Sequence, residues 1–310
     1  MINITESGRI KDKTAVAMGI FDGVHCGHRL VISEAEKFTG LVPAVFTFKT
    51  ESMSFKHGKP FEYIYTNEQK LRILDELGAE YVFSPDFDLL REMDGEEFVR
   101  KIICERMNAG AVVCGDNFRF GKDALFTVHE LEKLGEKYGF EVRVIGLGKN
   151  HFSSERFREM LREGKVQEIY TSGCGMYSIY GEVVEGNRLG RTLDFPTINQ
   201  LFGERQLVPR KGVYHTLTGI DGKIYNSITN IGVKPTVEKD IKPLAETHIL
   251  DYSGDLYGRK PEVRFMEFVR DEKKFGSLEE LKKQVFADID YVRQNSVITE
   301  MQKPSGKEMK

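Results

Sequence analysis

The stretch that most constrains the fold is Gly19–His28, a turn rich in glycine and histidine. The apolar run Ala15–Met18 before it has the length of a buried strand, and residues 29–38 after it have the apolar spacing of a helix. A turn between a strand and a helix directs free backbone N–H groups and the positive end of the helix dipole toward whatever binds there. The pattern therefore predicts an anion-binding turn.

The chemistry that this turn suggests is attack on a nucleotide phosphate. Gly23 and Gly27 allow the backbone to approach a phosphate closely, and His25 and His28 supply donors for negative charge that develops during a reaction. Two alternatives are a turn whose histidines are merely hydrogen-bonded and a zinc site. Zinc is disfavoured because Cys26, between the histidines, has no second cysteine at ligand spacing.

The string GIFDGVHCGH resembles the HxGH signature of the adenylyltransferase superfamily, in the GxFDGxHxGH form of the FAD synthetases. The resemblance implies that His25 and His28 stabilise transition-state charge and that Gly23 and Gly27 bind ATP phosphates. The reaction it implies is transfer of an adenylyl group from ATP to FMN, which gives FAD and pyrophosphate.

The first half of the chain alternates short apolar runs with amphipathic segments. Such alternation predicts an α/β fold with a doubly wound, parallel, Rossmann-like sheet, in which ligands bind at the carboxyl ends of the strands. The remaining predicted strands and helices are Leu41–Phe48, Asn67–Leu77, Tyr81–Phe83, Glu96–Met107, Ala111–Cys114, Val128–Tyr138, Glu141–Ile145 and Glu155–Arg162.

Two further segments are expected at the same edge of the sheet. Asn117 and Arg119 lie in a loop that matches the GxNFxFG loop of FAD synthetases. Ser153, Ser154 and Arg158 match the SSTxxR motif of that family. The resemblance assigns all five residues to ATP.

Two departures from the FAD synthetase pattern accompany these matches. Glu155 replaces the threonine of the serine motif, and an acid beside a triphosphate is repulsive. The family usually reads TFxPHP after the second strand, whereas Thr47–Ser52 of this chain lacks the proline–histidine–proline. The departures leave open an adenylyl half that is weak, lost or retuned.

The whole-chain properties are those of a protein with two domains, and they leave small nucleotides possible as ligands. A length of 310 residues allows two cores, and the net charge of −3 disfavours long nucleic acids as partners. No apolar run approaches the roughly 18 residues of a membrane span, and we see no secretory leader. The four cysteines form no CxxC pair and no disulfide-like framework, so we expect a reduced, cytoplasmic protein with no membrane association. The oligomeric state is not predictable from the sequence.

The second half changes to short β runs separated by turn signals. This pattern predicts an antiparallel β-barrel closed by one terminal helix, Leu278–Arg293. We interpret the glycine-rich stretch Gly164–Tyr177 as a linker and place the domains at residues 1–172 and 173–310. The predicted strand regions are Ser178–Val184, Gly212–Leu217, Ile224–Ile231, His248–Leu250 and Glu262–Val269.

Three glycines in this half, Gly181, Gly186 and Gly190, allow a loop that wraps phosphates with backbone N–H groups. Together with Arg191 and residues 196–199, the loop resembles the GRxxGFPTAN signature of the riboflavin kinases. Asp194 stands where that family usually has glycine. The resemblance assigns the three glycines and Arg191 to ATP.

Later segments follow the riboflavin kinases in order, at Lys211–Tyr214, Asn230–Thr236, Glu246–Asp251 and Gly254–Gly258. The whole chain therefore resembles the bacterial bifunctional riboflavin kinase/FMN adenylyltransferase family, whose first half is the adenylyltransferase and whose second half is the kinase. The resemblance implies that the substrates are riboflavin, FMN and ATP.

The resemblance also assigns roles in the kinase half. Glu246 would be the base for the ribityl hydroxyl of riboflavin, a role that suits a carboxylate at a strand end. Thr197 and Asn199, two residues apart on an extended segment, offer oxygens on one face to Mg²⁺, which takes most ligands from water and ATP phosphates. The implied flavin-binding residues are Tyr214, Asn230 and Arg270.

Two alternatives to a fully bifunctional enzyme follow from the same residues. The first is a riboflavin kinase with a degenerate adenylyltransferase domain. The second is a non-catalytic regulator that binds flavin or nucleotide, which is disfavoured because Glu246, His25 and His28 are all retained.

Overall fold

The computed structural model describes residues 1–56, 59–146, 148, 152–186, 195–233 and 243–296. The chain divides into two compact units. The first comprises Met1–Phe157 with Gly173–Gly175, and the second comprises Arg158–Ser172 with Met176–Lys310. None of the helices in these described ranges has the length and apolar content needed to cross a membrane.

The first unit is built on a parallel sheet of six strands in the order β1-β6-β3-β2-β7-β10. Two short antiparallel pairs, β4 with β5 and β8 with β9, lie outside this sheet. The strands are β1 (Ile2–Asn3), β2 (Thr14–Met18), β3 (Val42–Phe46), β4 (Phe55–Lys56), β5 (Lys59–Pro60), β6 (Tyr81–Phe83), β7 (Ala109–Gly115), β8 (Arg119–Phe120), β9 (Phe126–Thr127) and β10 (Glu141–Ile145).

The strand order explains where a ligand can bind. From β2 the chain proceeds to β3 and β6 on one side and later to β7 and β10 on the other. The order therefore reverses between β2 and β7, and in such sheets the crevice lies beyond the carboxyl ends of the two strands at the reversal. These ends are Met18 and Gly115. The parallel strands and their order confirm the predicted doubly wound sheet.

The helices of the first unit begin at side-chain caps where the sequence offers them. Thr66 accepts a hydrogen bond from the Gln69 amide (3.2 Å), and Thr127 forms a capping box with Glu130. The helices are α1 (Cys26–Glu36), α2 (Asn67–Glu76), α3 (Gly95–Phe98, which continues as a π-helix over Val99–Arg106), α4 (Val128–Tyr138) and α5 (Ser154–Glu163, which runs on into the second unit); three 3₁₀ turns cover Thr50–Ser52, Phe87–Leu89 and Lys122–Ala124.

The second unit contains an antiparallel sheet of seven strands in the order β11-β17-β14-β15-β16-β13-β12. Its two edge strands, β11 and β12, are separated in sequence only by Gly181 and Glu182. The sheet must therefore curve back on itself, as predicted for a barrel. The strands are β11 (Ser178–Tyr180), β12 (Val183–Val184), β13 (Thr197–Leu201), β14 (Gly212–Ile220), β15 (Lys223–Val233), β16 (Pro243–Ile249) and β17 (Glu262–Arg270).

Besides the end of α5, the described part of the second unit contains the helices α6 (Val166–Thr171) and α7 (Leu278–Gln294). The α7 residues Ile289 and Val292 pack on the barrel residues Val213, Ile228 and Leu250. The stretch Gly164–Tyr177, which the sequence analysis interprets as a linker, contains the helix α6. This helix is too short for its apolar periodicity to show, yet its Val166 and Ile169 are fully buried.

The expectation of reduced thiols is also wrong at one pair. Cys26 and Cys174 form a disulfide, whereas Cys104 and Cys114 are free cysteines. The sequence analysis did not predict this disulfide because the two cysteines lie 148 residues apart. Both members belong to the first unit.

Candidate active sites

The Gly19–His28 turn holds its backbone in unusual conformations. Phe21 (φ 52°), Gly23 (φ 81°) and Val24 (φ 40°) all have positive φ angles, which are uncommon for residues other than glycine. A Cβ atom at Gly23 would lie 2.8 Å from Cδ1 of Ile64, so this position also lacks room for a side chain. A non-glycine residue in such a conformation persists only where its surroundings enforce it, and such positions cluster at functional sites.

His25 and His28 come together at the N-terminal end of α1. His25 occupies the N-cap position, and the two imidazole rings stack with their centroids 3.7 Å apart. Phe21 packs edge-on against His28, and Phe152 lies near His25. Two ring donors beside a helix N-terminus form an arrangement that can neutralise charge on a phosphate.

The serine motif reaches the same turn. The Ser154 hydroxyl donates to the Asp22 carbonyl oxygen (2.8 Å), and Ser153 caps α5 by accepting from the Arg156 amide (3.1 Å). Glu155 is exposed in the first turn of α5. The last residue of the motif, Arg158, is buried and belongs to the second unit, so the motif spans the division of the chain.

The loop after β7 brings two polar residues to the same edge of the sheet. Asn117 and Arg119 are both exposed, and Arg119 begins the short strand β8. Stacked Phe118 and Phe120 rings anchor the loop on the core. The loop therefore presents an amide and a guanidinium beyond the carboxyl end of β7.

The segment after β3, which lacks the proline–histidine–proline, is held by a lysine that the sequence analysis missed. Lys70 is only 1% exposed, and its ammonium donates to the Phe48 carbonyl oxygen (2.6 Å) and the Thr47 hydroxyl (3.2 Å). Burial lowers the pKa of Lys70 to about 8, although Asp22 and Glu51 act in the opposite direction. The sequence signal that could have identified Lys70 is its position on the buried face of α2.

In the second unit a cavity of about 280 Å³ opens beside α7. Its apolar lining includes Val213, Ile228, Leu281 and Val285. Its polar lining includes Thr197, Asn230, Glu246, His248, Arg270 and Asp288. An apolar cavity with a few convergent polar groups is the usual form of a small-molecule site.

The strand register explains how the polar groups converge. Glu246 on β16 pairs with Asn199 of β13 on one side and with Asn230 of β15 on the other. Thr197 pairs with His248, two residues further along β16, so alternation puts Thr197 and Asn199 on one face. The register therefore sets a carboxylate between two amides.

Asn199 has one feature that points to a ligand. Its side chain is 5% exposed, and its Oδ1 atom is buried without a hydrogen-bond partner in the described part of the chain. Such an orphaned oxygen is costly unless something binds it. An amide oxygen beside a threonine hydroxyl is a donor set of the kind Mg²⁺ accepts.

The expected flavin-binding residues divide into two groups. Asn230 and Arg270 line the cavity, whereas Tyr214 does not. Tyr214 is fully buried, packs against Phe265 and Phe268, and donates its hydroxyl to the Arg210 carbonyl oxygen. Burial raises the pKa of Tyr214. Its neighbour Val213 lines the cavity because adjacent residues of β14 face opposite sides.

Arg270 is oriented by Asp288, which the sequence analysis also missed. The Arg270 Nε and Nη2 atoms donate to the Asp288 carboxylate at 2.6–3.1 Å, and Gln284 donates to the same carboxylate (2.9 Å). Asp288 is 5% exposed. An acid among the apolar positions of α7 was the signal.

His248 is a further residue of the cavity wall. Its Nδ1 atom hydrogen-bonds to the Pro196 carbonyl oxygen (2.8 Å), and burial lowers the pKa of its imidazole. A neutral ring beside Thr197 can therefore position the β13 backbone without adding charge.

The predicted ATP-binding glycines are only partly described. The Gly181 carbonyl oxygen accepts from Gln200 (2.7 Å), and Gly186 lies so close to the Asn199 amide that a Cβ atom would overlap it. Gly190 and Arg191, with the unusual Asp194, lie outside the described residues.

Family comparisons match both halves of the chain. The FAD synthetase family model matches residues 8–156, and the riboflavin kinase family model matches residues 175–296. The first match contains the histidine turn, and the second contains the cavity.

Curated relatives extend over nearly the whole chain. A bifunctional riboflavin kinase/FMN adenylyltransferase from Haemophilus influenzae is 30% identical, covering 92% of this chain and 94% of the relative. The protein of the same name from Escherichia coli is 33% identical, covering 88% and 90%.

A solved structure from Streptococcus pneumoniae has the same fold throughout. It is named a macrolide-efflux protein, is 28% identical, and superimposes with a TM-score of 0.79 over 94% of this chain and 98% of its own. The extent and identity of the sequence matches settle the family: this chain belongs to the bifunctional riboflavin kinase/FMN adenylyltransferases.

Proposed function

We propose that the second half phosphorylates riboflavin to FMN with ATP, and that the first half transfers an adenylyl group from ATP to FMN, forming FAD and pyrophosphate. The observation that carries the proposal is Glu246 on a cavity wall, with the orphaned Asn199 oxygen on the neighbouring strand. The protein acts in the cytoplasm, and its partners are small molecules rather than nucleic acids or membranes.

In the kinase half Glu246 accepts the proton of the ribityl hydroxyl as that oxygen attacks the terminal phosphate of ATP. The apolar wall seats the flavin ring, while Asn230 and Arg270 orient it. Thr197 and Asn199 would hold Mg²⁺, and the ion when bound would neutralise charge on the ATP phosphates. Tyr214 supports this site from the core.

In the adenylyl half FMN attacks the α-phosphate of ATP. His25 and His28 donate to the charge that develops there, and the N–H groups at the start of α1 hold phosphate oxygens together with Gly23 and Gly27. Ser153, Ser154, Asn117 and Arg119 bind the rest of the nucleotide.

The Glu246→Gln variant tests the kinase assignment. We expect kcat for FMN formation to fall by roughly 10²- to 10⁴-fold, the usual contribution of a positioned base, with riboflavin binding nearly unchanged. Riboflavin, ATP and Mg²⁺ are mixed with enzyme, and FMN and FAD are quantified separately by chromatography. Conversion of supplied FMN to FAD serves as the internal control, and an undiminished kinase rate would remove Glu246 from the base role.

The His28→Ala variant tests the adenylyl half, and here kinase activity is the internal control. We expect FAD formation from supplied FMN to fall by about 10²-fold or more, the usual loss on removing one preorganised donor, while riboflavin phosphorylation stays unchanged. If wild-type protein forms FMN but no FAD at millimolar FMN, the chain is a riboflavin kinase with a degenerate adenylyltransferase domain. If neither product forms, the non-catalytic regulator stands.

A further inference from the structure

The Cys26–Cys174 pair lies directly on the histidine turn. Cys26 is the first residue of α1 and stands between His25 and Gly27. Its Cα atom lies 4.1 Å from that of Cys174, which is 3% exposed. The proposed chemistry assigns no role to this pair, and the family matches assign it none either.

The backbone around Cys174 is shaped to present its side chain. Gly173 (φ 71°) and Gly175 (φ 100°) both have positive φ angles that glycine adopts without strain. These three residues pack with the first unit, although the residues on either side of them in sequence belong to the second. The Gly173–Gly175 segment is therefore shaped to contact α1.

The segment also contacts the catalytic turn through Arg29. A Cβ atom at Gly175 would lie 2.8 Å from an Arg29 guanidinium nitrogen, so the guanidinium packs directly on the glycine. The Arg29 Nε atom donates to the Val24 carbonyl oxygen (3.0 Å), and Val24 has the strained φ of 40°. The disulfide thereby holds a residue that supports the backbone just before His25.

We propose that Cys26 and Cys174 form a reversible dithiol–disulfide site, oxidised by low-molecular-weight disulfides, whose oxidised state strengthens adenylyl transfer. The proposal rests on the proposed cytoplasmic location and adenylyltransferase activity. Cytoplasmic disulfides in most organisms are transient, being catalytic or redox-sensing, because cellular thiols reduce them. A disulfide placed on a catalytic turn belongs to that group.

The exchange with glutathione disulfide is balanced. Cys26 is partly exposed, loses its proton and attacks one sulfur of the glutathione disulfide as the thiolate. That S–S bond breaks, and one glutathione leaves as a thiol after taking a proton. Cys174 then loses its proton and attacks the Cys26 sulfur, which releases the second glutathione thiol. Two protein thiols have become one disulfide.

The first experiment detects the disulfide without any enzymatic readout. Full-length protein is reduced with dithiothreitol, desalted and incubated with glutathione disulfide, and free thiols are counted after denaturation. We expect four thiols before oxidation, from the four cysteines of the sequence, and the loss of those at Cys26 and Cys174 afterwards. Non-reducing peptide mapping should recover the Cys26–Cys174 cross-link. Persistence of all four thiols, a different pair, or a stable mixed disulfide would overturn the proposal.

The second experiment measures the consequence for the site. At low ATP we expect FAD formation to be at least about fivefold faster for oxidised than for reduced protein. This is the lower end of the usual effect of one site on another. Riboflavin phosphorylation should be equal in both states. Cys174→Ser should stay at the reduced level under both treatments, and the matched control Cys104→Ser should respond like wild type.

The outcomes separate this proposal from the proposed function. Cross-linking with an unchanged or slower FAD rate would overturn the regulatory role. If neither redox state forms FAD, adenylyltransferase activity itself fails, and the regulatory role falls with it. In that case the thiol count and the peptide map still decide whether the disulfide forms.

Discussion

Lys70 has an environment in the first unit that is unusual for a lysine. Its amine is enclosed beneath the segment after β3, and burial lowers its pKa from 10.5 to about 8. In the unfolded chain the pKa returns to its ordinary value. Between these two pKa values the folded state therefore binds fewer protons than the unfolded state, so the free energy of unfolding rises with pH across this window.

The Lys70→Met variant should remove this dependence. For wild type we expect Lys70 to contribute a rise of roughly 3 kcal/mol in unfolding free energy between pH 8 and 10.5, at about 1.4 kcal/mol for each unit of pKa shift. Urea unfolding at several pH values measures the difference in slope between the two proteins. Lys133→Met, at an exposed position of α4, is the control and should keep the wild-type slope. Equal slopes for wild type and Lys70→Met would show that the amine is not buried in solution.

The residue scale also shows where motif reasoning reaches its limit. Motifs predicted His25, His28 and Glu246 as site residues, because the spacing of residues along the chain is enough to place them on one turn or one strand. They did not show that Val213 rather than Tyr214 faces the cavity, since strand phase depends on which face the core occupies.

At the scale of elements, a buried ion pair adds to the apolar packing of α7 on the barrel. Asp288 receives hydrogen bonds from Arg270 of β17 and from Gln284 of its own helix, and its side chain is 5% exposed. Removal of one partner leaves the other charge buried, and this loss typically costs 3–5 kcal/mol. The pair therefore fixes both the helix and the guanidinium in the cavity wall.

The Asp288→Ala variant should lose about 3–5 kcal/mol of stability in the kinase unit and show a raised KM for riboflavin. Calorimetry and kinase kinetics measure the two effects. Asp290→Ala is the matched control, because Asp290 lies on the same helix and is exposed. A stability loss without any change in KM would limit Asp288 to a structural role.

The elements themselves were largely predictable from periodicity. The terminal helix predicted at Leu278–Arg293 is observed at Leu278–Gln294, and the strand predicted at Glu141–Ile145 matches the observed bounds. The sequence analysis missed very short elements such as the helix Val166–Thr171, because so few residues show no clear apolar periodicity. The Cys26–Cys174 pair escaped because tertiary folding alone brings its members together.

At the scale of the whole molecule, the division of the chain differs from a simple cut at one linker. The structure assigns Arg158–Ser172 to the second unit, whereas the sequence pattern predicts a kinase domain at residues 173–310. The backbone amide of Arg210 donates to the Leu161 carbonyl oxygen (2.9 Å), and Gly164 packs against Phe268 of β17. Leu161, Val166 and Ile169 are fully buried.

Truncation distinguishes these two boundaries. A fragment that begins at Ser154, the start of α5, should fold and phosphorylate riboflavin at nearly the full-length rate. A fragment that begins at Gly173 should be less stable by several kcal/mol, because it lacks these three buried aliphatic side chains, at roughly 1.5–3 kcal/mol for each side chain before the fragment relaxes. Chemical unfolding and FMN formation of the two fragments are compared in parallel. Equal stability and activity would place the boundary at residue 173, and would mean that α6 only rests on the barrel. A stable longer fragment with a poorly folded shorter one would place the kinase boundary between Ser154 and Gly173, ahead of the residue that the sequence pattern predicts.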